Sequence, residues 1–91
     1  MANYTTTGIK ELSASWTGGA GRVVINGNFA KKTKVLLMLD DGSGWVTFGK
    51  DAIFTYPGAA RFEAAAGDKI GILIAPTDDS ISIDATIASL T

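Results

Sequence analysis

Nine acidic and eight basic residues are the reactive inventory of this 91-residue chain, which has neither histidine nor cysteine. Paired carboxylates can do acid–base work, and two pairs occur, Asp40-Asp41 and Asp78-Asp79. Both lie in stretches with glycine or proline, where aspartate is favoured because its side chain closes local backbone hydrogen bonds. They read as turns. Calcium also seeks oxygen-rich turns, but Asp40-Asp41-Gly42-Ser43-Gly44 lacks the spaced acidic ligands and closing glutamate of an EF-hand. Gly18-Gly19-Ala20-Gly21-Arg22 lacks the Lys-Ser/Thr ending of a phosphate loop and opens no helix whose dipole could hold an anion. Without histidine a Ser-His-Asp triad cannot be assembled, and without thiolates a cysteine-built zinc site is excluded. The sequence therefore predicts no catalytic residue, no cofactor and no metal site, and a protein that is not an enzyme.

The elements that would position any site are strands. From Ser80 to Leu90 apolar and small polar residues alternate, so Ile81, Ile83, Ala85 and Ile87 form one stripe, with Ser82, Asp84 and Thr86 opposite. Similar alternation predicts strands over residues 8–16, 22–29, 45–48, 52–56, 60–64 and 69–75. Thr17 to Gly21 reads as a loop, because its three glycines favour unusual backbone angles. Gly27, inside a strand, signals a bulge or the close approach of another backbone. Val35-Leu36-Leu37-Met38-Leu39 is apolar without a break, the pattern of a strand covered on both faces. If Leu37 faces the core, Leu36 and Met38 need a cover from the polar arm or a neighbouring subunit. Asp40 to Gly44 is the strongest hairpin signal. About eight short strands with turns every eight to twelve residues predict an all-β chain, a single antiparallel β-sandwich of jelly-roll type. Its central core candidates are Trp16, Val23, Ile25, Phe29, Leu37, Phe62, Ile70, Ile72, Ile81, Ile83 and Ile87.

Residues 9–91 read as one domain and residues 1–8, polar and threonine-rich, as a flexible N-terminal arm. The 46% hydrophobic content is high for a small domain with a net charge of −1. Burial against other copies of the chain or another protein would absorb that surplus, so a homo-oligomer is expected. The charge balance disfavours nucleic acid, which calls for a concentrated basic face; Lys31, Lys32 and Lys34 read as a solvated turn. No signal peptide or membrane-spanning run is evident, so a soluble product made in a cytoplasm is expected. The residues expected to touch a partner are Tyr4, Thr5, Thr6, Leu36, Met38, Trp45 and Tyr56.

Taken together, Asp41-Gly42-Ser43-Gly44-Trp45-Val46, Phe54-Thr55 with Gly58 and Phe62, Gly67-Asp68-Lys69-Ile70 and Ile81-Ser82-Ile83 form a linear pattern. It resembles that of small β-sandwich virion proteins of tailed bacteriophages, over roughly Val23 to Ile87. Such proteins often carry a D-G-x-x-W-V hairpin, an F-T-x-x-G-x-x-x-F segment and a G-x-x-I strand. Here Gly71 replaces the usual arginine after the late isoleucine. The resemblance implies a non-enzymatic capsid decoration or cement protein on the virion surface, frequently trimeric, whose partner is the major capsid protein or another virion protein. On that reading the arm from Ala2 to Gly8 and one sandwich edge make the contacts. A tail or receptor-binding component is the same role in another place. The other alternative is a carbohydrate-binding module, with Trp45 and Tyr56 as its aromatic platform.

Overall fold

The computed structural model describes residues 2–29, 33–48, 52–75 and 81–90. Among these, the chain forms β1 (Ala2–Tyr4), β2 (Gly8–Ser13), β3 (Gly19–Asn28), β4 (Val35–Asp40) and β5 (Trp45–Thr47), then β6 (Ile53–Phe54), β7 (Gly58–Ala64), β8 (Lys69–Ile74) and β9 (Ser82–Ser89). One sheet has the order β1-β9-β3-β7. The other has the order β2-β8-β4-β5, with β6 beside the same edge of β4. All pairings are antiparallel.

The pairs β1·β9, β2·β8, β3·β7 and β4·β6 are nested, as in one long two-stranded ribbon whose closed end lies beyond β4. Rolling that ribbon sets β9 beside β3 and β8 beside β4. This is the jelly-roll connection, and it delivers the expected sandwich.

Alternation explains the core. Val23, Ile25, Val35, Leu37, Ile70, Ile72, Ile74 and Ile83 are almost wholly buried between the sheets. At one end Phe62 packs on Trp16, ring centroids 4.9 Å apart, and on Phe48 at 5.5 Å. Of the expected core only Phe29 and Ile87 are partly buried, and both still pack against it. The Trp16 loop is tied to the β7–β8 turn: Trp16 N donates to Asp68 O at 2.8 Å, and Gly67 N donates to Trp16 O at 2.8 Å.

Two expectations are corrected. The glycine loop over residues 17–21 is shorter, because β3 already begins at Gly19. Gly21 lies within the strand where a Cβ would sit 2.5 Å from atoms of both Phe62 and Trp16, so glycine here makes room for rings. The arm over residues 1–8 is not free throughout. Ala2–Tyr4 pairs with β9, setting Tyr4 opposite Ile83, and the Tyr4 side chain packs against the core. Asn3 Nδ2 fastens it by donating to Asp84 Oδ1 at 2.7 Å and Ser82 Oγ at 3.0 Å. Asp78-Asp79, Lys31 and Lys32 lie outside the described residues.

Gly27 is the close approach its position suggested. Its φ is +116°, and a Cβ there would run into the Ser82 carbonyl oxygen on β9. A left-handed backbone costs a non-glycine residue about 1–3 kcal/mol before any clash. Gly27→Ala should therefore lose about 2–4 kcal/mol of stability, read as a lower urea midpoint with an unchanged slope.

Candidate protein-docking face

The two sheets present opposite chemistry to their surroundings. On the outer face of the β1-β9-β3-β7 sheet, cross-strand register places Asn3, Asp84 and Asn26 in one row and Ala88, Arg22 and Arg61 in another. The row between them holds Thr86, Val24 and Ala59, so the face is mostly polar, as an outer sheet face ordinarily is.

The outer face of the other sheet is not. Register aligns Ile9 (β2), Leu73 (β8), Leu36 (β4) and Ile53 (β6) in one continuous row. Ile9 and Ile53 are 44% and 41% exposed, and Leu36 and Leu73 are half-buried. The adjacent row holds Glu11, Gly71, Met38 and Thr47, and the next Lys69, Asp40 and Trp45. From strand spacings of about 4.8 Å and ~3.3 Å per residue, that row covers on the order of 130 Å², and about 200–250 Å² with the adjoining Met38, Gly71 and Trp45 positions. Its size is ordinary for a small domain; what sets it apart is that the apolar side chains form one unbroken row across four strands.

Trp45 organises the middle of this face. Its ring reaches from β5 to Gly71 on β8, where a Cβ would stand 3.0 Å from the indole and 2.6 Å from Lys10 O. Met38, on the strand between them, is only 6% exposed. The glycine at 71, where the resembling pattern has arginine, is what lets the indole lie down. Met38 thus has its cover within the chain, and the expectation that an arm or a second subunit covers it is corrected.

Strand β2 is inverted at this edge. Lys10, opposite the buried Ile72, faces inward, and its Nζ donates to Thr6 Oγ1 at 2.7 Å, while apolar Ile9 faces out. An inward charge on an edge strand is a known defence against edge-to-edge pairing, and a bulge between Glu11 and Ser13 adds to it. The exposed Lys69–Glu11 pair, at 3.9 Å, contributes about 0–1 kcal/mol at most.

Of the residues expected to touch a partner, the structure gathers Leu36, Met38 and Trp45 on this face. Tyr4 is turned toward the core, Thr5 and Thr6 are exposed beside β1, and Tyr56, 72% exposed, follows β6. Trp45 pairs with Asp40 at one end of β4, and Tyr56 lies beyond Phe54, which pairs with Val35 at the other. Five residues of strand separate those ends, about 17 Å, so the two rings do not share a platform. Ile9, Leu73 and Ile53 were missed. Their signal is phase: each falls on the opposite alternation from Leu12, Ile72 and Phe54, the inward residues of its own segment.

The paired aspartates of the β4–β5 turn serve its structure. Asp40 Oδ1 accepts from Gly42 N at 2.7 Å and Gly44 N at 3.2 Å, and Asp41 Oδ1 accepts from Ser43 Oγ at 2.6 Å and Ser43 N at 3.1 Å. Gly42 and Gly44 supply the positive φ that the β4–β5 hairpin turn requires. Among the described residues no group of three or more acidic side chains is placed to hold a metal ion. No family model matches the chain, and no curated protein or solved structure is similar to it.

Two measurements check this account. The Ser43 hydroxyl, followed by the Ser43 backbone N–H, holds the Asp41 carboxyl below its ordinary value. A depressed carboxylate favours the folded turn above the unfolded pKa, and that contribution fades as pH falls through the folded value. Ser43→Ala should move the Asp41 titration upward in a carbon-detected NMR pH series. Thr33, 3% exposed and two residues before β4, has a hydroxyl with no hydrogen-bond partner among the described residues. Thr33→Val should raise stability by about 1 kcal/mol in urea unfolding, because it removes an uncompensated buried polar atom.

Proposed function

We propose that this chain is a non-enzymatic structural protein of a bacteriophage virion, a decoration or cement protein that binds the capsid shell and stabilises it. The observation that carries this reading is the apolar outer face around Ile9, Leu73, Leu36 and Ile53, set on a sandwich whose other outer face is mostly polar. Fold alone does not choose, because jelly rolls serve viral shells and lectins alike. The face favours docking onto protein: it is flat, apolar and made of strand side chains held in fixed register.

Size explains how such a face works. At about 200–250 Å² it falls well below the ~800 Å² that each partner contributes to a standard stable interface. One copy binds weakly. Many copies on a repeating shell, each bridging neighbouring subunits, add up through avidity, and whatever binds only the assembled shell shifts the equilibrium toward it. The major capsid protein is the partner this arrangement fits, with synthesis in the host cytoplasm and residence on the virion. The contact comes from a sheet face, since Ala2–Tyr4 is held in its own sheet.

Co-sedimentation with capsid shells of the phage that carries the gene tests this. The wild-type chain should pellet with shells, and Ile9→Glu/Ile53→Lys should reduce the bound copies about tenfold or more. Both positions are exposed, so thermal unfolding should shift by less than about 0.5 kcal/mol each. A wild-type chain left in the supernatant overturns the reading, and pelleting with tails but not shells moves the protein to the tail.

A further inference from the structure

A two-layer sandwich has four sheet edges, and each is a template for another strand unless something blocks it. Three of the edges here are blocked among the described residues. β1 is three residues long, β2 carries the inward Lys10 and a bulge, and β5 and β6 are short pieces interrupted between Thr47 and Ile53. The fourth is different. β7 runs seven residues without interruption and pairs only with β3, so one row of its backbone groups is unpaired among the described residues. Its side chains are mostly small, and open clefts of about 330 Å³ (beside Arg61, Phe62 and Glu63) and 190 Å³ (beside Gly58 and Ala59) adjoin it.

The charges on this edge say what fits it. Arg61 and Glu63 face outward, whereas Ala60, Phe62 and Ala64 face the interior side. Consider a second copy of β7 added antiparallel about a two-fold axis. Outward residues meet outward residues only if the axis passes beside a residue rather than between two. Centred on Arg61, it sets arginine against arginine. Centred on Glu63, it sets glutamate against glutamate. Centred on Phe62, it sets Arg61 of each copy opposite the partner's Glu63, twice, with Ala60 opposite the partner's Ala64. That register also relieves a fault in the single chain, where Arg61 sits directly opposite Arg22 on β3, a destabilising like-charge pair.

The geometry points to a homodimer formed by antiparallel β7–β7 pairing centred on Phe62, which joins two four-stranded sheets into one of eight. The axis of such a pairing stands perpendicular to the sheet. Both sandwiches therefore stay on one side of the joined sheet, and their apolar outer faces point the same way. The dimer stands on the edge strand alone and does not require the shell-binding reading.

Sedimentation velocity on the whole chain over roughly 10–200 µM tests it. The wild type should be a concentration-dependent dimer. Arg61→Glu turns two attractive pairs into two repulsive ones and should weaken the dimer about tenfold or more. The same change removes the Arg22 repulsion within the chain, so the melting temperature should hold or rise, which separates lost pairing from lost folding. Arg61→Glu/Glu63→Arg restores opposite charges across the axis and should bring the dimer back to within about threefold of wild type. A wild-type monomer or trimer over this range overturns the inference. So does a dimer that Arg61→Glu leaves intact or that the double exchange fails to restore.

Discussion

The register between β8 and β4 decides what this molecule is. β4 is apolar on both faces, so its own alternation does not say which set is core, and β8, with Leu73 opposite its isoleucines, helps to settle it. Ile70, Ile72 and Ile74 are buried opposite Leu39, Leu37 and Val35. A slip of one residue would send those isoleucines outward and bring Gly71 and Leu73 in. Gly71 breaks the tie. It offers the interior no side chain, so the phase that buries it there would leave a void, and voids in a close-packed core cost stability in proportion to their volume. In the observed phase its missing side chain is filled from outside by the Trp45 indole.

With the phase set, the outer face of the five-stranded sheet follows. Leu73 and Leu36 must face outward because Ile72 and Leu37 face inward, and Ile9 and Ile53 extend the row at its two ends. A sheet with one solvated face ordinarily carries polar residues there. The chain shows that it can do so, since Asn3, Asp84 and Asn26 line the other sheet. The departure is local, and it coincides with the inverted β2, where a lysine points in and an isoleucine out. Natural sequences break local rules mainly where function requires it.

Much of the scaffold was legible in the sequence. The stripe from Ile81 to Ile87, the Asp40–Gly44 hairpin and the continuous run from Val35 to Leu39 each carry a local signature, and local signatures survive folding. What escaped depends on distant partners. Ala2–Tyr4 is too short and polar to announce a strand, and its partners on β9 lie at the far end of the chain. Gly19 to Gly21 look like a loop until Phe62 and Trp16 are placed against them. The candidate site was half visible. Leu36 and Met38 share a phase and were expected to share a fate, but Trp45 reaches across and covers one of them. Ile9, Leu73 and Ile53 could have been found by asking which apolar residues stand out of phase with the core.

The surplus of apolar residues now has a location, and location changes its meaning. A domain of this size buries only about 60–65% of its unfolded surface, and with no cysteine it has no disulfide to offset that. Its interior is filled by side chains from both sheets, so the outer row is not overflow from an ill-packed core. Exposed leucine and isoleucine add little to the stability of the free chain, because burial rather than composition is what stabilises. They matter only when something covers them. A cover that binds the folded chain and not the unfolded one raises its stability by mass action. The same linkage runs in reverse, so a surface held together by many such domains is itself harder to take apart. On the proposed docking reading the apolar row does more for an assembly than for the molecule that carries it, and a polar row would have served the free domain better.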